Sequence, residues 1–153
     1  MIAELQCVVL DCPDPLELAE FYRSLLGGAV NRQDRRWACD EDWATLHTPS
    51  GAVLAFQRVA DYRPPRRPDP ARPQQFHLDL EVADLDRAQE QALARGATVL
   101  DEGSAADAGA PAGEPTGEGP GEKPGEEPDG GSADRGWRVY ADPAGHPFCL
   151  VRH

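Results

Sequence analysis

The sequence predicts an α+β fold, with two βαβββ modules forming a curved mixed sheet around one cleft. Three features of the 153-residue chain predict it. A strand, an Asp-capped helix and a closing glycine occur twice, as CVVLDCPDPLELAEFYRSLLGG from Cys7 and as HLDLEVADLDRAQEQALARG from His77. Cys7 and Asp14 each stand seventy positions before their counterparts, His77 and Asp84. A second repeat pairs WATLHTPSGAVLAF from Trp43 with WRVYADPAGHPFCL from Trp137, with Trp, Pro and Gly coinciding at an offset of ninety-four. The two offsets differ by twenty-four residues, close to the extra length of a Gly/Pro/Glu-rich segment between Gly103 and Asp134. The chain therefore reads as one domain over 1–153. Its first module spans 1–60, its connector 61–75, and its second module, carrying the insertion 103–134, spans 76–153.

In chain order, Leu5 to Asp11 reads as a strand, with Cys7, Val9 and Asp11 on one face and Val8 and Leu10 on the other. Asp14 is placed to cap a helix with Pro15 at its first position, where the missing N–H is no loss. Leu18, Phe21, Tyr22 and Leu25 then form one apolar stripe, and Gly27-Gly28 stops it. Ala29-Val30 begins a short strand, and Asn31 to Asp42 reads as a loop or hairpin. Trp43 to Thr48 and Ala52 to Val59 form strands around a Pro-Ser-Gly turn. Five prolines between Asp61 and Gln75 exclude a central strand and predict an extended connector. Its Arg63, Arg66, Arg67 and Arg72 belong to a solvated linker, or alternatively to a lip over a site for an anionic ligand.

The second module opens with a strand from Phe76, placing His77, Asp79 and Glu81 on one face and Leu78, Leu80 and Val82 on the other. Asp84 caps a helix whose Leu85, Ala88 and Ala92 share a stripe, Gly96 ends it, and Ala97 to Leu100 is a strand. The insertion holds nine of the fifteen glycines and no aromatic residue, Val, Ile, Leu or Met. It has no apolar area with which to offset chain entropy, so disorder is expected there.

Charge and composition exclude several function classes. The insertion supplies −7 of the formal −12, leaving an ordinary −5 on the rest, so no nucleic-acid partner is expected. The start lacks a basic region followed by a long apolar run, and no stretch reaches membrane-spanning length. No membrane association and a cytoplasmic location are expected. Cys7, Cys12, Cys39 and Cys149 show no CxxC spacing and read as free thiols. No Ser-His-Asp ordering, phosphate-cradling loop or dinucleotide fingerprint is present.

The helices should cover the face holding Val8, Leu10, Leu54, Phe56, Leu78, Leu80, Phe148 and Leu150. The opposite face mixes Cys7, Asp11, Gln57, His77, Asp79, Glu81, Cys149 and Val151 with Trp43, Thr45, His47, Ala55 and Val139. A curved face that is neither dry nor fully polar suits a small-molecule cleft. Trp43 and Trp137 can stack on a planar ligand or belong to the core. Asp79 can orient the His77 imidazole, act as a general base or be a solvated carboxylate. Cys149 reads as a small buried filler or a reactive thiol, and His146 as a hairpin-turn residue.

Paired βαβββ modules, strand-x-Asp-helix-Gly openings and the ending Asp142-Pro143-Ala144-Gly145-His146-Pro147-Phe148-Cys149-Leu150 resemble the vicinal oxygen chelate superfamily. That group includes glyoxalase I and the fosfomycin-resistance proteins, the bleomycin-resistance proteins and the extradiol dioxygenases. The nearest likeness is to its small glyoxalase-like bacterial branch, over the whole chain except the insertion. The resemblance implies metal ligands on the first and last strand of each module, and those positions are Cys7, His77, Ala55 and Cys149. Only His77 has the usual type. Cys149 stands where Glu is common and Ala55 cannot ligate, though Gln57 on the same face can substitute. Such a set suits oxygen-seeking ions badly, while a His with two Cys suits Zn²⁺.

The expectation is a cleft lined by His77, Asp79, Gln57, Trp43, His47, Cys7 and Cys149, without cofactor. A divalent metal on His77, Cys149 and Cys7 is the alternative. The expected function is metal-independent binding or sequestration of a small molecule, of bleomycin-resistance type. The alternative is a metal-dependent lyase, isomerase or dioxygenase of glyoxalase type using His77, so whether the chain is an enzyme stays open. The superfamily also implies a homodimer.

Overall fold

A computed structural model describes residues 1–37, 39–66, 69–101 and 136–153. The first module runs β1 (Val8–Cys12), α1 (Pro15–Leu26), β2 (Ala29–Val30), β3 (Trp43–His47) and β4 (Val53–Arg58). The second runs β5 (Leu78–Glu81), α2 (Leu85–Leu93), β6 (Thr98–Asp101), β7 (Gly136–Ala141) and β8 (Pro147–Arg152). Each module makes a four-stranded mixed sheet, in the orders β1-β4-β3-β2 and β5-β8-β7-β6. In both, the first strand runs parallel to the last while the others pair antiparallel.

The repeat holds at the level of register. Val9 faces Ala55 in the first module and Asp79 faces Cys149 in the second; Trp43 faces Gln57 as Trp137 faces Val151. Each pair maps onto its twin by offsets of seventy and ninety-four. The turns before the last strands match too. Thr48 donates its N–H to the Ala52 carbonyl as Asp142 does to that of His146, and Gly51 and Gly145 close the two turns.

Helix α1 begins where Asp14 accepts the Glu17 N–H at 3.0 Å and ends at Gly27, whose φ of 71° is left-handed. Asp84 caps α2 in the same way through the Arg87 N–H at 2.9 Å. The two helices bury unequal stripes. Pro15, Leu18, Ala19, Phe21 and Tyr22 are buried on α1, but only Ala92 on α2, where Leu85 and Ala88 pack at its margin. The core is continuous across the modules, because α1 faces both. Tyr22 stacks on Phe56 of β4 at 5.8 Å, and Phe21 meets Phe148 of β8 edge-on at 5.9 Å.

Two expected strand starts are shorter in the structure, for an identifiable reason. Val8 pairs with Leu54 near the beginning of β4, so residues before it have no ladder to join, and Leu5 is exposed. Leu78 pairs with Phe148, the second residue of β8, so the ladder runs out before His77 as it does before Val8. His77 therefore precedes β5 instead of lying on it. The connector carries no strand among its described residues. The expected disorder of 103–134 concerns residues outside those described, as does Arg67.

Candidate functional site

The faces turned away from the helices differ sharply between the modules. On the first, the loop between β2 and β3 folds over the sheet. Asn31 accepts the Thr45 N–H at 2.8 Å, the Cys39 sulfur lies 3.7 Å from the Thr45 hydroxyl, and Trp37 stands edge-on to His47 at 6.4 Å. Thr45, His47 and Ala55 are buried beneath it. Burial, with Arg32 nearby, pushes the His47 imidazole below its ordinary value, so it is neutral at neutral pH. Its Nε2 and the Trp37 indole N–H are both buried without a partner. Trp43 sits half-buried at the margin, and Gln57 opposite it is exposed. Cys7 is half-buried, and burial raises its pKa, which keeps it a thiol.

The second module's face is open to a cavity of about 560 Å³, lined by Val139, Ala141, Leu100, Gln74, Arg66 and neighbouring prolines. Cys149 is buried at the middle of this sheet, between Asp79 on β5 and Val139 on β7. Asp79, on an edge strand, is exposed, and His77 two residues earlier brings its Nε2 to 3.3 Å from the Asp79 carboxylate. One donor atom from each of His77, Asp79 and Cys149 lies within 4.8 Å of the other two. Gln74 completes the group with its side-chain amide 3.1 Å from His77 Nδ1. In that orientation the amide donates, so the imidazole proton sits on Nε2 and faces Asp79. Gln74 Oε1 is buried and has no hydrogen-bond partner among the described residues.

Of the seven cleft residues expected from sequence, the structure brings together His77, Asp79 and Cys149. Trp43, Gln57, His47 and Cys7 lie on the first module, and Cys7 does not join the His77 cluster. Asp79, read from sequence as an orienting or catalytic carboxylate, is the third potential ligand in its place. A parity argument could have found this, since Asp79 faces Cys149 once β5 and β8 pair in parallel. Gln74 carried no signal, because nothing in a proline-rich connector marks one glutamine for contact.

The trio suits a thiophilic ion. Tetrahedral Zn²⁺ sites take one nitrogen, sulfur or carboxylate oxygen per ligand at about 2.0–2.3 Å, and the 3.3 Å between His77 Nε2 and Asp79 is already compatible with two donors on one such ion. Three ligands would leave one position open, and the ion would supply Lewis-acid polarisation of a substrate oxygen. The first module adds nothing to this set. The counterparts of His77, Asp79 and Cys149 are Cys7, Val9 and Ala55, of which two cannot ligate.

A missed network holds the modules together at the other end of β8. Asp142, whose side chain is fully buried, accepts from the Tyr22 hydroxyl at 2.9 Å and from the backbone N–H groups of Ala144 and His146, each at 2.9 Å. His146 Nδ1 lies 2.8 Å from the same carboxylate, and its Nε2 lies 2.8 Å from the Asp11 carbonyl. Burial, then the neighbouring Asp142 charge, pushes the Tyr22 phenol well above its ordinary value. The hairpin reading of His146 thus holds, with an added bond to the first module that local sequence does not encode. No helix among the described residues is long and apolar enough to cross a membrane.

The fold has many solved counterparts. A glyoxalase/bleomycin resistance protein/dioxygenase family enzyme from Burkholderia phytofirmans PsJN is 17% identical with a TM-score of 0.59, covering 98% of each chain. The hypothetical protein SA1046 from S. aureus is 13% identical at a TM-score of 0.59, covering 100% of both chains. The fosfomycin resistance protein FosX from Listeria monocytogenes, as a mutant complexed with Mn(II) and a dihydroxypropylphosphonic acid, is 13% identical at 0.55, over 99% of this chain and 93% of that one. At these identities the likeness concerns the fold. No curated protein matches the chain in sequence. The sequence model of the glyoxalase-like domain matches residues 7–119, more than half of the chain. With the duplicated βαβββ topology this is decisive: the chain belongs to the glyoxalase-like domain family of the vicinal oxygen chelate superfamily.

Proposed function

We propose that the protein binds a small molecule in the cleft of its second module without a metal, sequestering or sensing it as bleomycin-resistance-type proteins do. The observation carrying this reading is the 560 Å³ cavity on the open face of the second sheet. Val139, Ala141, Leu100 and prolines in its lining suit an apolar body, with Gln74, Arg66 and Asp101 as its polar groups. Three of the four expected ligand positions depart from the usual type, as Cys7, Ala55 and Cys149, and the Ala55 and Cys149 departures above all favour metal-free work. The reading includes a homodimer, supported by the exposed edge strand β6 with Val99 and Leu100 open.

The test combines metal analysis of the purified protein with a ligand screen by thermal shift. No stoichiometric ion is expected, together with a ligand that raises the midpoint by mass action. The Val139→Phe variant, which fills the cavity, should lose that rise. A divalent ion at one per chain that disappears on His77→Ala would overturn the metal-free reading. The second reading, a metal-dependent lyase, isomerase or dioxygenase, is favoured by the mutual approach of His77, Asp79 and Cys149. Under it, His77, Asp79 and Cys149 hold the ion and Gln74 orients the His77 ring.

A further inference from the structure

A different cavity, of about 390 Å³, is lined by β1, by β5 and by the connector between the modules. Its walls are apolar, with Val9, Leu10, Leu78, Phe76 and Pro147 contributing, and two arginines stand among its polar groups. Arg63 and Arg72 reach it from the connector. Arg72 is 3.6 Å from Asp69, whereas Arg63 has no ion pair among the described residues. The lining includes one carboxylate, the exposed Asp11.

Tyr62 is engaged at the edge of this pocket. Its hydroxyl lies 3.0 Å from His146 Nε2, while His146 Nδ1 faces the Asp142 carboxylate, which only accepts. A neutral ring with its proton on Nδ1 takes the Tyr62 proton at Nε2. Arg63, without an ion pair among the described residues, thus opens on an apolar pocket in a chain whose formal charge is −12.

We propose that this cavity is a second ligand site, taking a small aromatic carboxylate with its charge at Arg63 and its ring on Val9, Leu78 and Phe76. The cavity falls in the size range of small-molecule pockets. Anionic charge is selected because charge-assisted bonds to a guanidinium are about twice as strong as neutral ones. This site does not depend on the Gln74 cleft, and either can fail without the other.

The probes are cinnamate and its uncharged analogue cinnamyl alcohol, titrated calorimetrically into the full chain. Cinnamate is expected to bind about tenfold or more tightly than the alcohol. Arg63→Gln should bring cinnamate down to the alcohol's affinity while leaving the alcohol unchanged. His77→Ala, in the other cavity's neighbourhood, should have no effect. Equal affinity for the two probes, or no binding of either, overturns the proposal. So does a cinnamate affinity that survives Arg63→Gln or is lost on His77→Ala.

Discussion

Replacing Asp142 with alanine should be the most damaging single change at the seam between the modules. Its carboxylate side chain is 0% exposed and accepts four donors: the Tyr22 hydroxyl, His146 Nδ1 and two backbone N–H groups. After truncation, water can reach the half-buried turn and His146, whose side chain keeps 15% exposure. It cannot reach the Tyr22 hydroxyl without opening the core, because Tyr22 is fully buried. A stranded buried donor costs about 1–3 kcal/mol. One fully stranded hydroxyl with three partly hydrated donors puts the sum at about 3–4 kcal/mol. Tyr22→Phe alone should cost about 1–2 kcal/mol, since the carboxylate keeps three donors. The double variant should then be less destabilised than the two single costs added together, by about 1 kcal/mol or more, because no hydroxyl is left stranded. Urea unfolding at pH 7, followed by tryptophan fluorescence and far-UV circular dichroism, measures all three. An Asp142→Ala cost below about 1 kcal/mol, or strict additivity, would refute this account of the seam.

Three further predictions concern other parts of the fold. Gly145 and Gly51 are twins in the repeat with φ near +90°, but a Cβ at Gly145 would lie 2.6 Å from Pro64 while one at Gly51 meets nothing. Gly145→Ala should therefore cost about 1–3 kcal/mol more than Gly51→Ala in paired melts; equal costs would mean the connector does not press on the turn. Burial, with Asp14, Asp142 and Asp11 nearby, pushes the Cys12 thiol from 9.0 up to about 11. The folded form then holds its proton more firmly, so stability is fully present below pH 9 and falls as pH rises through 11. The drop should be about 2–3 kcal/mol, and Cys12→Ala should flatten it; an unchanged slope would place the titration elsewhere. His47 is depressed by burial, so the stability it contributes is present above its unfolded value of 6.5 and is lost as pH falls through its folded value. His47→Leu should remove that acid limb without loss at pH 7, because the side chain leaves a partnerless nitrogen; a large loss at neutral pH would reveal a bond that Nε2 does not show.

Much of the fold was legible because it is written twice. Offsets of seventy and ninety-four between Cys7 and His77 and between Trp43 and Trp137 reappear as strand register. Parity then places Cys149 beside Asp79. What sequence could not carry was contact between distant segments. Tyr22 and Asp142 are 120 residues apart, and each is locally complete as a helix-stripe aromatic and a turn aspartate. The closing of the first face by Trp37 and Cys39 was hidden for a similar reason, since a polar loop does not announce which sheet it will cover. His77 is the instructive intermediate case. Its alternation with Leu78 and Asp79 is genuine, yet β8 begins only at Pro147, so the ladder runs out before His77.

Helix α1 has a consequence for how the duplicated chain comes apart. Because Phe21 and Tyr22 touch aromatic rings from both modules, the unit of sequence repetition is not the unit of cooperativity. Without the second half, α1 would lose the Phe148 ring from its buried stripe, and Tyr22 would lose the turn from which β8 departs. Amide exchange should accordingly show β4, α1 and β8 opening together, with the exposed strand β6 exchanging well before them. Chains cut within the connector should recover their slow-exchanging amides only when both fragments are mixed.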